Sequence, residues 1–248
     1  KGDKKYCKEN KTNSRQKVFV VSLGIIIHTM FHRRIFFLLL VLLPTQLGIH
    51  YWPEWSYVLG RRIDYLSPTV SLTDIFIVLL LLSWVMKSVS RLPAGKAGIT
   101  YSVLGIIRNT KYVIPFVLFA FLNAWFAASP WVAVYKWLKV FEFVGLGWYI
   151  ITTKPKIAHI VLPLSLGVLY SSLGAISQFF LQRSIGGPLW LLGERTFDIE
   201  TPGIARWEGF GKLLLRPYGT FPHPNVLGGY LAVLLPVILQ YVNKPINQ

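Results

Sequence analysis

The residues 216–225 read Arg-Pro-Tyr-Gly-Thr-Phe-Pro-His-Pro-Asn and run straight into an apolar stretch. Arg216 is a planar, permanently charged donor fork that matches phosphate oxygens. Pro217, Pro222 and Pro224 stiffen the backbone, and Gly219 permits a turn or the close approach of a ligand. Asn225 is a good N-cap for the helix that follows, whose first N–H groups would face an anion. Two readings fit these ten residues. One is a site for a phosphorylated lipid headgroup, with Arg216 on the phosphate. The other is a stiff re-entry turn from which Arg216 snorkels to the headgroup layer. His223 has the range of a general base at neutral pH; between two prolines it reads equally as a turn residue or an interfacial donor.

Other charged residues fall where an anion site would want them. Arg61 and Arg62 are candidates to join Arg216 around an anionic headgroup, with Asp64 reading as solvated loop. Within an apolar stretch stand Lys136, Lys139 and Glu142; the latter two are spaced to pair on one helix face. They form either a polar seam or a self-satisfied pair, and Lys136 can reach an interface. Asp74, after Ser71 and Thr73, suits the first turn of a helix. Glu194, Asp198, Glu200 and Glu208 read as loop acids in which no hydrolase pair stands out. No phosphate-binding loop, dinucleotide fingerprint, zincin motif or nucleophile elbow occurs. Cys7 is the single cysteine, and no Cys/His cluster has metal spacing, so neither metal nor cofactor is expected.

What must position these residues is set by composition. Of 248 residues, 53% are hydrophobic against 15% charged, and mean hydropathy is +0.49. That excludes disorder and an ordinary soluble surface. Nine tryptophans suit two water–lipid interfaces. The expected fold is an all-α polytopic transmembrane bundle of six spans, near 35–51, 72–89, 112–129, 131–151, 157–180 and 226–242. One long outer loop covers 181–225, and loops of that length are commonly functional. Gly167, Ser171 and Ala175 make a small-residue packing face in the fifth span.

The net charge of +16 is segregated into short segments between apolar runs, which argues for positive-inside topology rather than nucleic acid. The stretch 87–111 carries Lys87, Arg91, Lys96, Arg108 and Lys111 with no acid. Lys154 and Lys156 follow on the same side, Lys244 comes after the last span, and nine basic residues lie in 1–34. Both termini are therefore expected in the cytoplasm, and 52–71 and 181–225 outside. Trp52, Trp55, Trp131, Trp190 and Trp207 then fall near the outer face. The apolar run 18–30 is short for a span. Met30 is read as the native start, with 1–29 a basic extension and 30–248 the transmembrane domain; the other reading of 18–30 is an interfacial amphipathic segment.

The Arg at 216, the Gly219-Thr220-Phe221 step and the His223-Pro224-Asn225 entry into an apolar helix resemble the O-antigen ligases and polymerase-like membrane glycosyltransferases. The stretches 43–48 (Leu-Pro-Thr-Gln-Leu-Gly), 62–68 and 72–74 agree in style with the N-terminal part of bacterial members. The resemblance implies a bacterial inner-membrane enzyme. It would move a glycan from an undecaprenyl-diphosphate carrier to lipid A-core or another glycan at the outer face, without ATP or metal. Arginines hold the diphosphate in that family, and Arg216 matches the motif arginine. The family's catalytic base lies in a later outer loop to which no residue here corresponds, so the resemblance implies the N-terminal half of such an enzyme, unable to turn over alone. The alternative is a non-enzymatic polytopic protein such as a lipid-linked glycan exporter, which would need a polar path open alternately to both faces.

Overall fold

The computed structural model describes residues 31–90, 110–209 and 211–243, with side chains described for 31–87, 113–209 and 211–243. The extension 1–29, the proposed start at Met30, most of the basic stretch 87–111 and Lys244 lie outside the described residues.

The order is helix α1 (31–41), strand β1 (Gly48–His50), hairpin strands β2 (Tyr57–Val58) and β3 (Arg61–Arg62), and strand β4 (Thr69–Ser71). Then come helices α2 (Leu72–Ser90), α3 (Thr110–Trp125), α4 (Pro130–Thr153) and α5 (Ala158–Leu181). Strands β5 (Arg206–Gly209) and β6 (Lys212–Leu215) precede helix α6 (Pro224–Val242). The strands form three separate two-stranded antiparallel sheets: β1 with β4, β2 with β3, and β5 with β6.

This corrects the expected all-α bundle of six spans. Among the described residues two helices are long and apolar enough to cross a membrane, α5 and α6. The first expected span, 35–51, fails because α1 ends at residue 41, so that only 35–41 of it is helical, about 10 Å at 1.5 Å per residue against a hydrocarbon core of about 30 Å. Pro44 lies just past its end, and Gly48–His50 are extended instead. Helix α2 carries Asp74 in its first turn and Lys87 in its last, leaving about 18 Å of uncharged helix between. In α3 the described apolar part is Val113–Trp125, again short. Helix α4 has 24 residues but places Lys136, Lys139 and Glu142 in its middle. The apolar runs are real, but most are shortened or interrupted by charge.

The helices pack in two groups. Ile35, Phe36 and Leu39 of α1, Ile77 and Leu80 of α2 and Tyr149 of α4 form one buried core, against which Ile160 of α5 packs. Helix α5 buries a stripe through Val161, Leu164, Val168, Ser171, Ala175 and Gln178, the alternating three- and four-residue spacing of a single helix face. The small-residue face predicted there is part of it. A Cβ on Gly167 would stand 3.2 Å from the Val41 carbonyl and 2.8 Å from the Tyr230 hydroxyl, so the glycine lets α1 and α6 approach. Ala175 packs with Phe221 and Leu227 of the α6 entry.

Loops gather at the C-terminal end of α5. The β1–β4 ladder closes the segment 48–71 on itself, with Gly48 opposite Ser71 and His50 opposite Thr69. Inside it the β2–β3 turn is Leu59-Gly60, both with positive φ (49° and 75°), the primed turn that two-residue hairpins favour. The Tyr135 hydroxyl of α4 donates to the Thr69 carbonyl at 2.9 Å, and Trp55 stacks on Trp131 with ring centroids 6.2 Å apart. Asp74 caps α2 by accepting from the Ser71 N–H at 2.6 Å. It also takes an ion pair from Lys139, whose Glu142 partner is 3.9 Å away. The predicted Lys139–Glu142 pair is thus a three-residue cluster tying α2 to α4.

Candidate functional site

The chain around Arg216 is fixed from both sides before the guanidinium is placed. The Leu215 N–H donates to the Gln182 side-chain carbonyl at 2.7 Å, and the Arg216 N–H donates to the Ala205 carbonyl at 3.1 Å. Gln182 turns the end of α5 in a left-handed conformation, φ 55°. Beyond Arg216, the Tyr218 and Gly219 N–H groups both donate to Gln178 Oε1, at 2.9 and 2.7 Å. Gln178 Nε2 donates back to the Gly219 carbonyl at 2.8 Å and to Glu194 Oε1 at 2.7 Å. The Thr220 hydroxyl donates to the Pro44 carbonyl at 2.7 Å. Gly219 is needed here: its φ is +60°, and a Cβ would lie 3.1 Å from the Ser171 carbonyl.

Gln178 is fully buried, and its amide uses all four of its hydrogen-bonding positions. Glu194 is 4% exposed. Its Oε1 also accepts from the Ile185 N–H at 2.8 Å, and Oε2 accepts from the Gly186 N–H at 2.7 Å. This pair is the part of the site that sequence reasoning missed, because Glu194 reads as one loop acid among four. The available signal was Gln178 itself, an amide late in an apolar helix whose burial requires partners. Asp198, by contrast, is an exposed turn residue; the Thr201 hydroxyl donating to it holds its carboxyl below the usual range.

On this frame Arg216 lines a cavity of about 340 Å³ with Phe179 of α5, Trp207, Pro217, and Leu227 and Leu231 of α6. Its Nη2 donates to Asn225 Oδ1 at 2.8 Å. Here too the structure corrects the sequence. The residue that caps α6 is His223, whose Nδ1 accepts from the Asn225 N–H at 3.1 Å; Pro224 occupies the first helical turn, and Asn225 serves Arg216 instead. A neutral imidazole accepting at Nδ1 carries its proton on Nε2. In this arrangement His223 serves as the cap of α6.

The remaining predicted residues stand elsewhere. Arg61 and Arg62 are exposed on β3. The Arg62 guanidinium lies over the Trp52 ring at 5.4 Å, and His50 stacks on the same ring at 5.4 Å. Neither arginine lines the cavity beside Arg216. Lys136 is exposed over the ring of Tyr135, away from that cavity. Of the other motif residues, Pro224 lines that cavity and Asn225 accepts from Arg216, while His223 bonds the Asn225 N–H and Gly219 bonds Gln178. Among the described residues no group of three or more His, Cys, Asp or Glu could hold a metal ion.

Compared with models of protein families, with curated proteins and with solved structures, the chain matches none.

Proposed function

We propose that the chain acts on a lipid carried by a diphosphate, as a membrane glycosyltransferase similar to the O-antigen ligases and polymerases. The observation that carries this is Arg216 at the wall of an apolar cleft between the two most membrane-like helices. One end of that cleft is a guanidinium; the rest is Phe179, Trp207, Leu227 and Leu231. A polyprenyl diphosphate has the same two parts, an anionic head and a branched apolar chain.

Arg216 would take two phosphate oxygens on its fork and stabilise the charge that develops on the diphosphate as the sugar leaves. Asn225 holds one guanidinium nitrogen, which orients the fork before a ligand arrives. The donor would be an undecaprenyl-diphosphate-linked glycan, and the acceptor a hydroxyl of another glycan or of lipid A-core, at the outer face of a bacterial inner membrane. Energy resides in the sugar–phosphate bond, so no cofactor enters the scheme.

The test is retention of undecaprenyl diphosphate by the chain in nanodiscs, read by native mass spectrometry. Arg216→Ala should reduce bound lipid by roughly tenfold or more, the loss expected when a charge-assisted bidentate contact is removed. Arg216→Lys should recover part of it, because an ammonium cannot reproduce the fork. Equal retention by wild type and Arg216→Ala would end this reading.

A further inference from the structure

At the opposite end of α5 lies a larger cavity of about 790 Å³. Its walls come from the first described turn of α1, the last turns of α2 and α4, and the 154–157 connection into α5. Arg33, Arg34, Lys87, Lys154 and Lys156 line it, with His32 and His159, and among the described residues no carboxylate lines it. Phe36, Phe37 and Trp84 supply an apolar side.

Two of these residues are placed by buried bonds. His32 is 2% exposed; its Nε2 lies 2.8 Å from Lys87 Nζ and its Nδ1 3.0 Å from the Tyr149 hydroxyl. An ammonium has no lone pair, so Lys87 donates and His32 Nε2 accepts, which leaves Nδ1–H to donate to Tyr149. Lys87 is thereby held at the cavity wall rather than left to extend into water. Lys154 is fixed by its backbone: it ends α4 in a left-handed conformation, φ 43° and ψ 60°, with its N–H on the Ile150 carbonyl. A β-carbon pays for that conformation, and glycine would sit there without strain.

Lys154 and Lys156 by themselves suit the negative end of the α4 dipole. Positive-inside topology accounts for the side on which Arg33, Arg34 and Lys87 lie, but not for their convergence from two other helices on the same space. Arg33, Arg34, Lys154 and Lys156, all exposed, bring four positive charges to one cavity, where they repel one another, and a multivalent anion inside would reverse the sign of that interaction. Arginine forks favour phosphate oxygens over a monovalent ion, and the volume falls in the range of small-ligand sites.

We propose that this cavity binds a phosphoryl group, a phosphate or diphosphate. It is a site separate from the one at Arg216. The group could reach it on an anionic phospholipid headgroup or as a free phosphate compound, and the experiment distinguishes these.

The full chain in phosphatidylcholine nanodiscs is titrated with inorganic pyrophosphate by calorimetry, and the same is done with discs containing phosphatidylglycerol. Wild type should bind pyrophosphate in the first discs. The double variant Arg33→Gln/Lys156→Gln should bind it about tenfold more weakly, and the same loss should appear in an Arg216→Ala background, where the other diphosphate site is removed. If the natural source is a headgroup, phosphatidylglycerol should compete with pyrophosphate, and detergent-purified wild type should retain that lipid more than the double variant does. If it is a free phosphate, both discs should give the same affinity. Lys154→Gly guards against misfolding, since it relieves the backbone while removing a charge; it should raise the unfolding midpoint and weaken binding. Neither pyrophosphate nor phosphatidylglycerol binding wild type better than the charge-removed variants would overturn the proposal.

Discussion

Around Glu194 the direction of every hydrogen bond decides which residue can stand there. Its three partners, Gln178 Nε2 and the N–H groups of Ile185 and Gly186, are all donors. Both oxygens must therefore accept, and glutamine, nearly the same shape, would turn an NH₂ group toward a donor. Glu194→Gln should destabilise the fold by about 1–3 kcal/mol, the cost of leaving buried polar groups unpaired. Thermal unfolding in detergent measures it; a midpoint equal to wild type would show that the cluster adds nothing to stability. The importance of Glu194 was not legible in the sequence, because it depends on Gln178 sixteen residues earlier and Gly219 twenty-five residues later. Arg216 was legible, since a guanidinium's fitness for phosphate is a property of the residue. Asn225 was read as the cap of α6 and His223 as a base, turn residue or interfacial donor; the cap falls to His223, and Asn225 is taken up by the Arg216 side chain.

Helix positions and most helix ends were visible in the chain. Hydropathy gave 72–89 where α2 runs Leu72–Ser90 and 157–180 where α5 runs Ala158–Leu181. It missed the hairpins, because Arg61–Arg62 read as loop charge and the Leu59-Gly60 turn lacks the usual asparagine or aspartate. It also lengthened the first span through Pro44 into residues that pair as β1. Two turns between elements carry opposite predictions. Gly219→Ala puts a methyl 3.1 Å from the Ser171 carbonyl at φ +60°, and should lower stability by about 1–2 kcal/mol from the left-handed conformation alone. The loss should extend to lipid retention at Arg216, three residues away. Lys154→Gly at φ 43° should raise stability by up to about 1 kcal/mol. Unfolding midpoints of the two variants moving in the same direction would contradict the strain argument at one of them.

At the scale of the whole chain, two cavities with basic walls sit at opposite ends of α5. A 24-residue helix is about 36 Å long, close to the span of a hydrocarbon core plus its interfaces. The ends differ in charge. Around the 154–157 turn basic residues converge without carboxylates among the described lining residues, whereas the connection 181–225 holds five basic and four acidic residues. Basic residues stay on the cytoplasmic side of short loops, and balanced loops translocate. The connection between α5 and α6 should therefore face outward, with Arg216, and the turn before α5 should face the cytoplasm. The single cysteine makes this direct to measure. With Cys7→Ser as background, a cysteine is placed at exposed Glu200 in one variant and at Lys156 in another. In intact cells an impermeant maleimide should label Glu200→Cys and not Lys156→Cys, and both should react once the membrane is opened. The reverse pattern would invert the assignment of the two cavities to the two faces. Labelling of both in intact cells would mean that α5 does not cross, and the outer-face reading of the Arg216 site would go with it.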